Sequence, residues 1–394
     1  MRIDEAVGRA ADLAAKLEDR RAETEQLRAL PETTVHDFVS SGLLRINQAA
    51  RWGGAELGTE GAVAVISEVA KGDPAAGWVF GLLASHFWLV CLFPEELQQE
   101  MWGDDPNALM SSSFVAAESE CARVDGGYRI RGRWPFSSGS RHCSWAMVGI
   151  VVPPTAEAGG DGVPPHIRWG ILPRSDYRVD DDWRTVALRG TGSNTLIVDD
   201  AFVPDHRCVD PMDVARGTAP GTAVNPAPIF RLPFGAALAW YLAAPALGSA
   251  TRTFDDWVAY MGTKRNAFTG EQLARQQPTI IRVGETGAKL DLARLLAAHT
   301  PRDIDDAIAR GPLDAALRVR AGRDATMAVR LCVEVVETCM QFAGGHALFD
   351  SNPIQQGWRD VHGVAAHMGF NTDMAYGGWG HHLLGIPMPP SMFG

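Results

Sequence analysis

The chain has 394 residues, with 36 Lys and Arg against 47 Asp and Glu, a formal charge of −11 and 46% hydrophobic residues. Such a composition folds around a core, and the length exceeds one ordinary core, so two or three packed units are expected. An acidic balance, with no stretch that concentrates Lys and Arg, excludes nucleic acid and anionic membrane as partners. The six cysteines (Cys91, Cys121, Cys143, Cys208, Cys332, Cys339) are widely spaced with no C-x-x-C pair. That spacing argues against a disulfide framework or a zinc ribbon.

The opening residues, MRIDEAVGRAADLAAKLEDRRAETEQ, alternate charges on an amphipathic helical pattern and lack the apolar core of a signal peptide. A cytoplasmic location is the expectation. Apolar positions recurring at three and four predict further helices through ETTVHDFVSSGLLRI, GAVAVISEVAKGD and EELQQEMW. Residues 75–93, AAGWVFGLLASHFWLVCLF, run nineteen positions without a formal charge, long enough for a membrane span. Asp73 and Pro74 form an N-cap and first-turn signal, Pro94 supplies a stop, and Gly77, Gly81, Ser85 and His86 interrupt the apolar surface. With no positive flanks, a buried helix is expected and not a membrane helix.

Between about 113 and 208 the texture becomes alternating and β-branched, in YRIRGRWPF, SWAMVGIVV, HIRWGILP and TLIVDDAFV. These segments are predicted strands. Residues 153–165, PPTAEAGGDGVPP, are predicted as a loop by their Pro and Gly content. Helical patterning returns from about 229 to 383, including a long helix over 324–344, with loops at GTAPGTAVNPAP, HTPRDID and ALFDSNP. The fold class is therefore α+β, mainly α. Its expected units are an N-terminal helical domain (1–112), a central β domain (113–208) and a C-terminal helical domain (209–394), with a ligand where they meet.

Few segments carry recognisable chemistry. RGTGSNT at 189–195 invites a dinucleotide reading, but that fingerprint opens a helix and here a strand follows, so a turn is expected. His362 and His367 are five apart and cannot share a helical metal face, so no metal is expected. WPFSSG at 134–139 sets two hydroxyls and a glycine beside an aromatic wall. It reads either as a strand end with a turn or as a binding edge for a flat heterocycle. His86 is either a satisfied core residue or part of a cavity. GTKRNAFTGEQLARQQP at 262–278 groups Lys264, Arg265 and Arg275 as a solvated charge run or an anion site. The stretch 359–382 packs histidines, an ion-pairing Arg and Asp, glycines and aromatics more densely with polar rings than packing requires.

Taken together, LRALPETTVHDFVSSGLLRINQAARWGG, GDPAAGWVFGLLASH, GRWPFSSGSRHCSWAMVG, WRTVALRGTGSNTLIVDDAFVP and RDVHGVAAHMGFNTD resemble the acyl-CoA dehydrogenase fold, and within it the flavin-dependent monooxygenase branch. The resemblance spans nearly the whole chain and is most specific at WPFSSG and LRGTGS. It implies a β-barrel-like central domain, a C-terminal four-helix bundle and assembly as a homotetramer. Ser138 would meet the flavin N5 edge, with Trp134, Phe136 and Ser137 beside it. His86 and His367 resemble the active-site histidines, Arg265 the arginine that reaches a neighbouring subunit's flavin phosphate, and Gly344 with Gly345 the glycine pair over the cofactor.

Two positions depart from the wider fold. Gln356 stands where an arginine is common. Tyr376-Gly377-Gly378-Trp379 stands where dehydrogenases of the fold carry Y-E-G-T, so the carboxylate base is replaced by glycine. The implied activity is a two-component monooxygenase that takes reduced flavin, FMN or alternatively FAD, from a separate NAD(P)H:flavin reductase. With O2 it would form a C4a-hydroperoxide and hydroxylate an aromatic or nitrogen-containing small molecule. An acyl-CoA dehydrogenase-like oxidoreductase and a non-catalytic ligand-binding relative are the alternatives.

Overall fold

The computed structural model describes residues 1–116, 118–153 and 166–387. The loop expected at 153–165 lies, apart from residue 153, outside the described residues. Five helices come first: α1 (Ile3–Leu27), α2 (Glu32–Ser41), α3 (Gly58–Gly72), α4 (Pro74–Val90) and α5 (Glu95–Trp102). The uncharged segment forms α4. Asp73 caps it by accepting the Ala76 N–H at 2.9 Å, Pro74 occupies the first turn, and every side chain but Leu82 is buried. The helix ends at Val90, one turn before Pro94, which opens α5 instead. No helix among the described residues is long and apolar enough to cross a membrane. Gly77 and Gly81 let α4 press on α3, since a Cβ at Gly77 would stand 2.4 Å from Ala70 Cβ.

Two four-stranded sheets follow, β1-β4-β5-β8 and β2-β3-β7-β6. In order the strands are β1 (Met110–Ser113), β2 (Glu118–Val124), β3 (Gly127–Ser137), β4 (Trp145–Val152), β5 (His166–Pro173), β6 (Arg178–Asp180), β7 (Asn194–Pro204) and β8 (Cys208–Val209). Their inner faces share one core, in which Tyr128, Ile130 and Trp134 of one sheet pack with Ala146, Val148 and Leu172 of the other. The β3–β7 ladder slips between Trp134 and Ser137. Pro135 has no N–H to give the ladder there, and Phe136 takes φ +67°, so the strand bulges and turns the Phe136 ring outward while Ser137 stays buried. The segment 189–195 is a short turn that runs into β7, as expected.

After a short helix α6 (Pro211–Arg216), α7 (Phe234–Thr263), α8 (Gln277–Arg310), α9 (Ala315–Ala343) and α10 (Pro353–Ala365) form a bundle, with α11 (Thr372–Leu384) laid on α9. HTPRDID is not a loop. Residues 299–305 lie inside the continuous helix α8, and Pro301 is buried within it. An interior proline weakens a helix by about 3 kcal/mol, and tertiary bonds offset this. Thr300 Oγ1 donates to Asp324 Oδ2 at 2.7 Å, and Asp305 accepts the Thr59 and Glu60 N–H groups, each at 2.8 Å, capping α3 of the first domain.

The N-terminal helices meet the C-terminal bundle where α3 crosses α7. A Cβ at Gly248 would lie 2.0 Å from the Ser67 carbonyl oxygen, so only glycine allows that crossing. Gly248→Ala is expected to destabilise the fold by roughly 1–3 kcal/mol through overpacking, read as a lower thermal unfolding midpoint. An unchanged midpoint would show that the crossing relaxes freely.

Candidate active site

Helix α4 carries the site along one face, because residues 78, 82, 85, 86 and 89 recur at helical spacing. Near its start, the Trp78 indole Nε1 donates to Ser138 Oγ at 3.2 Å. Its ring centroid lies 5.6 Å from that of His367. Trp78 thus joins all three units: the N-terminal helices, the end of β3 and the turn after α10. Ser138 reaches it because Gly139, at φ +68°, turns the chain beside Val79, to which a Cβ would approach within 2.9 Å.

Eight residues on, roughly 12 Å further along α4, His86 lines a narrow cavity with Leu82, Ser112, Phe114, Phe234 and Tyr241. Strand β1 holds both ring nitrogens. Nδ1 lies 2.6 Å from the Met110 carbonyl oxygen, and Nε2 lies 2.9 Å from Ser112 Oγ. A carbonyl only accepts, so Nδ1 carries the proton and Nε2 is left as an acceptor. Burial lowers the His86 pKa to about 4, which keeps the ring neutral near neutral pH. The two readings of His86 are both realised, since it is satisfied by the core and faces a cavity.

His367 has the opposite polarity. Its Nδ1 accepts the Gly369 N–H at 3.0 Å, so in the neutral ring Nε2 carries the hydrogen, and Nε2 has no protein partner among the described residues. Burial lowers its pKa as well. The site therefore presents one imidazole as acceptor and one as donor.

The remaining expected residues fall into two groups. Phe136, Ser137 and Ser138 share the β3 bulge. The Phe136 ring is 61% exposed and stands edge-on to Trp183 at 6.2 Å, while Ser137 Oγ is buried without a partner. Trp134 corrects the expectation of a cofactor contact. It is wholly buried between the sheets and donates to the Gly149 carbonyl at 2.8 Å, so it supports the bulge from behind. The second group lies on the bundle. Lys264 Nζ caps α9 through the Ala343 carbonyl at 2.6 Å and stands 3.1 Å from where a Gly344 Cβ would be. The adjacent Arg265 is exposed and bonded to the Gly270 carbonyl at 2.9 Å. Gly345 is open, with nothing within 4 Å of a Cβ there, and Gln356 Nε2 is buried and unpaired. At the end of β3, the exposed, strained Phe136 ring beside the orphaned Ser137 Oγ suits a large planar group with a polar edge.

Sequence reasoning missed the supports. Asp360, fully buried, accepts the Leu188 N–H at 2.6 Å. Arg359 pairs with Glu25 at 3.0 Å and donates to the Val186 carbonyl at 2.6 Å. This Arg and Asp therefore clamp the 186–193 turn instead of pairing with each other. Leu188 sits at φ +49°, and Gly363 makes room for it, since a Cβ there would come within 3.1 Å of Leu188 Cγ. In the same turn Thr191 hydrogen-bonds Ser193, which in turn hydrogen-bonds Ser138.

A family model described as "Acyl-CoA dehydrogenase, C-terminal domain" matches residues 240–372. Over 382 residues the chain is 33% identical to the flavin-dependent monooxygenase, oxygenase subunit HsaA, of Rhodococcus jostii (strain RHA1), covering 96% of this chain and 98% of that one. The chain belongs to the flavin-dependent monooxygenases. It is 30% identical over 390 residues to the FADH(2)-dependent resorcinol hydroxylase, oxygenase component, of Rhizobium sp. (strain MTP-10005), covering 96% of this chain and 94% of that one. The crystal structure of the HsaA monooxygenase from M. tuberculosis superposes with a TM-score of 0.92 at 32% identity, covering 100% of both chains. XiaF from Streptomyces sp., in complex with FADH2 and glycerol, superposes at 0.90 with 28% identity over 99% of this chain and 97% of that one. This flavin-dependent monooxygenase therefore has the acyl-CoA dehydrogenase-like fold, and reduced flavin is its cofactor class.

Burial raises the Asp360 carboxyl pKa to about 7, with Glu25 adding to the shift. An unfolded Asp ionises near 3.9. Between about pH 4 and pH 7 the folded monooxygenase therefore holds a proton that the unfolded chain has lost, and Asp360 costs stability as pH rises through that window. Asp360→Asn keeps an oxygen for Leu188 and removes the titration. Its stability relative to wild type is expected to improve from pH 5 to pH 8, by on the order of 2 kcal/mol, in urea midpoints. A difference independent of pH would mean that Asp360 does not titrate there.

Proposed function

We propose that the protein is the oxygenase component of a two-component system that hydroxylates an aromatic small molecule bearing a ring hydroxyl. The observation that carries this reading is His86. Its tautomer is fixed by the Met110 carbonyl, and Nε2 faces an apolar cavity as an acceptor. A phenolic hydroxyl placed there gives its hydrogen to Nε2 in place of Ser112, which raises electron density on the ring it activates. Support comes also from relatives named for resorcinol and for p-hydroxyphenylacetate, the latter 29% identical over 371 residues.

Bound reduced flavin supplies the activation of dioxygen from which one oxygen atom reaches the substrate. The residues do the rest. Phe114, Phe234 and Leu82 keep water from the cavity. Ser137 and Ser138 hold the polar edge of the cofactor, Phe136 covers its flat face, and His367 Nε2–H serves as a donor on the side of Trp78. We take FMN as the flavin and FAD as the competitor, since the resorcinol hydroxylase is named for FADH2. A separate NAD(P)H:flavin reductase supplies it in the reduced state.

We further read the enzyme as a cytoplasmic homotetramer, in which Arg265, Gly344 and Gly345 complete the flavin site of a neighbouring subunit. Support lies in apolar groups that the chain leaves uncovered: Phe268 beside Arg265 is 98% exposed, and Leu383 and Leu384 of α11 are 67% and 75% exposed.

Titrating the purified protein with reduced FMN and reduced FAD under anaerobic conditions tests the cofactor, and binding of neither would sink the proposal. For the chemistry, His86→Ala is expected to lower formation of hydroxylated phenol by about 100-fold or more. Reduced flavin should still be consumed by oxygen, with hydrogen peroxide released in place of product. Since His86 stays neutral above about pH 5, its contribution should not decline between pH 6 and pH 8. Undiminished product from His86→Ala would overturn the role of His86.

A further inference from the structure

Ser138 is one link in a buried chain of hydroxyls whose polarity the geometry dictates. Thr191 Oγ1 lies 2.9 Å from the Leu188 carbonyl oxygen. That oxygen can only accept, so it takes the single Thr191 hydroxyl proton. Ser193 Oγ lies 2.6 Å from Thr191 Oγ1 and must be the donor in that bond. Ser138 Oγ lies 2.7 Å from Ser193 Oγ and must in turn donate to it. From the other side the Trp78 indole, which can only donate, gives its hydrogen to Ser138 Oγ. The proton of Ser138 is therefore used inward and one lone pair is taken. What remains to face the site is a single lone pair.

The far end of the chain is fixed. The Leu188 carbonyl also accepts the Trp183 indole at 2.9 Å and the Thr191 N–H at 3.1 Å, while the Leu188 N–H is held by Asp360. Because this oxygen has no hydrogen to give, the Thr191 hydroxyl beside it donates, and that sets the direction of every bond up to Ser138.

We propose that the Leu188–Thr191–Ser193–Ser138 chain makes Ser138 an obligate acceptor, so that the site selects reduced over oxidised flavin. The proposal rests on the reading that Ser138 meets the flavin N5 edge. Reduced flavin carries hydrogen on N5 and can donate to the free lone pair. Oxidised flavin has a bare lone pair on N5, which would face another lone pair without a hydrogen between them, and an unmade bond of that kind weakens binding. Thr191 and Ser193 are positioning residues, acting through Ser138. An oxygenase that receives its flavin reduced and must release it oxidised gains from that difference, because spent cofactor leaves and does not block the site.

The test measures dissociation constants for oxidised FMN by fluorescence titration in air and for reduced FMN under anaerobic conditions. Wild type is compared with Thr191→Val, Thr191→Ser, Ser193→Ala and Ser138→Ala. In Thr191→Val the Ser193 proton is released to point at Ser138, whose own proton can then turn outward. The preference for reduced FMN, taken as the ratio of the two constants, is expected to fall about tenfold. Ser193→Ala should do the same, and Thr191→Ser should keep the wild-type ratio. Equal weakening of both forms, or an unchanged ratio in both Thr191→Val and Ser193→Ala, overturns the proposal. If Ser138→Ala leaves both constants at wild-type values, it is the placement of Ser138 at the flavin that fails. Ser193→Ala removes one atom only, so it carries the test if Thr191→Val does not fold.

Discussion

The site depends on a carboxylate that has almost no water. Asp360, on the bundle, accepts one backbone N–H from Leu188, in the β domain, and its second oxygen is unpaired. A buried acid with one partner is a costly arrangement. What it secures is a turn that no local preference would hold, since Leu188 sits in left-handed backbone space usually left to glycine. Once that turn is in place, its carbonyl orients Thr191, Ser193 and Ser138 in sequence. The bundle thereby governs a hydroxyl in another domain, without touching it.

Around that anchor the two histidines have complementary protonation. A backbone carbonyl takes the Nδ1 hydrogen of His86, whereas a backbone N–H occupies Nδ1 of His367. Each outward nitrogen is thus set by an amide group on the opposite side of its ring. No ionisation is needed to distinguish acceptor from donor, and burial that lowers both pKa values keeps the pair neutral. For chemistry in a water-poor pocket this has a physical advantage, because neutral groups need no compensating charge nearby.

Much of the fold was legible in the sequence. Asp73-Pro74 announced α4, alternation announced β3, β4, β5 and β7, and the α-β-α order placed the cleft. What escaped notice was tertiary in origin. HTPRDID read as a loop, yet side-chain bonds from Thr300 and Asp305 carry the helix through Pro301. Trp134 read as a wall of the cofactor pocket, yet the bulge that starts after it turns the Phe136 ring outward and leaves Trp134 between the sheets. Trp78 was one apolar residue among many in α4, and its indole N–H has meaning only beside Ser138. Resemblance pointed to His86 and Ser138 but said nothing about which way their hydrogens point, because that is settled by partners from 24 to 55 residues away.

Leu188 and Gly363 illustrate a constraint on how such a chain can drift. The leucine keeps its left-handed backbone while its side chain fills the space that the missing Cβ of residue 363 leaves open. Glycine at 188 would ease the backbone and leave a hole, and a larger residue at 363 would push the turn, and the hydroxyls hung on it, away from the bundle. Across related sequences the two positions should change together or not at all, a covariation between a loop and a helix 175 positions apart whose cause lies in neither residue alone.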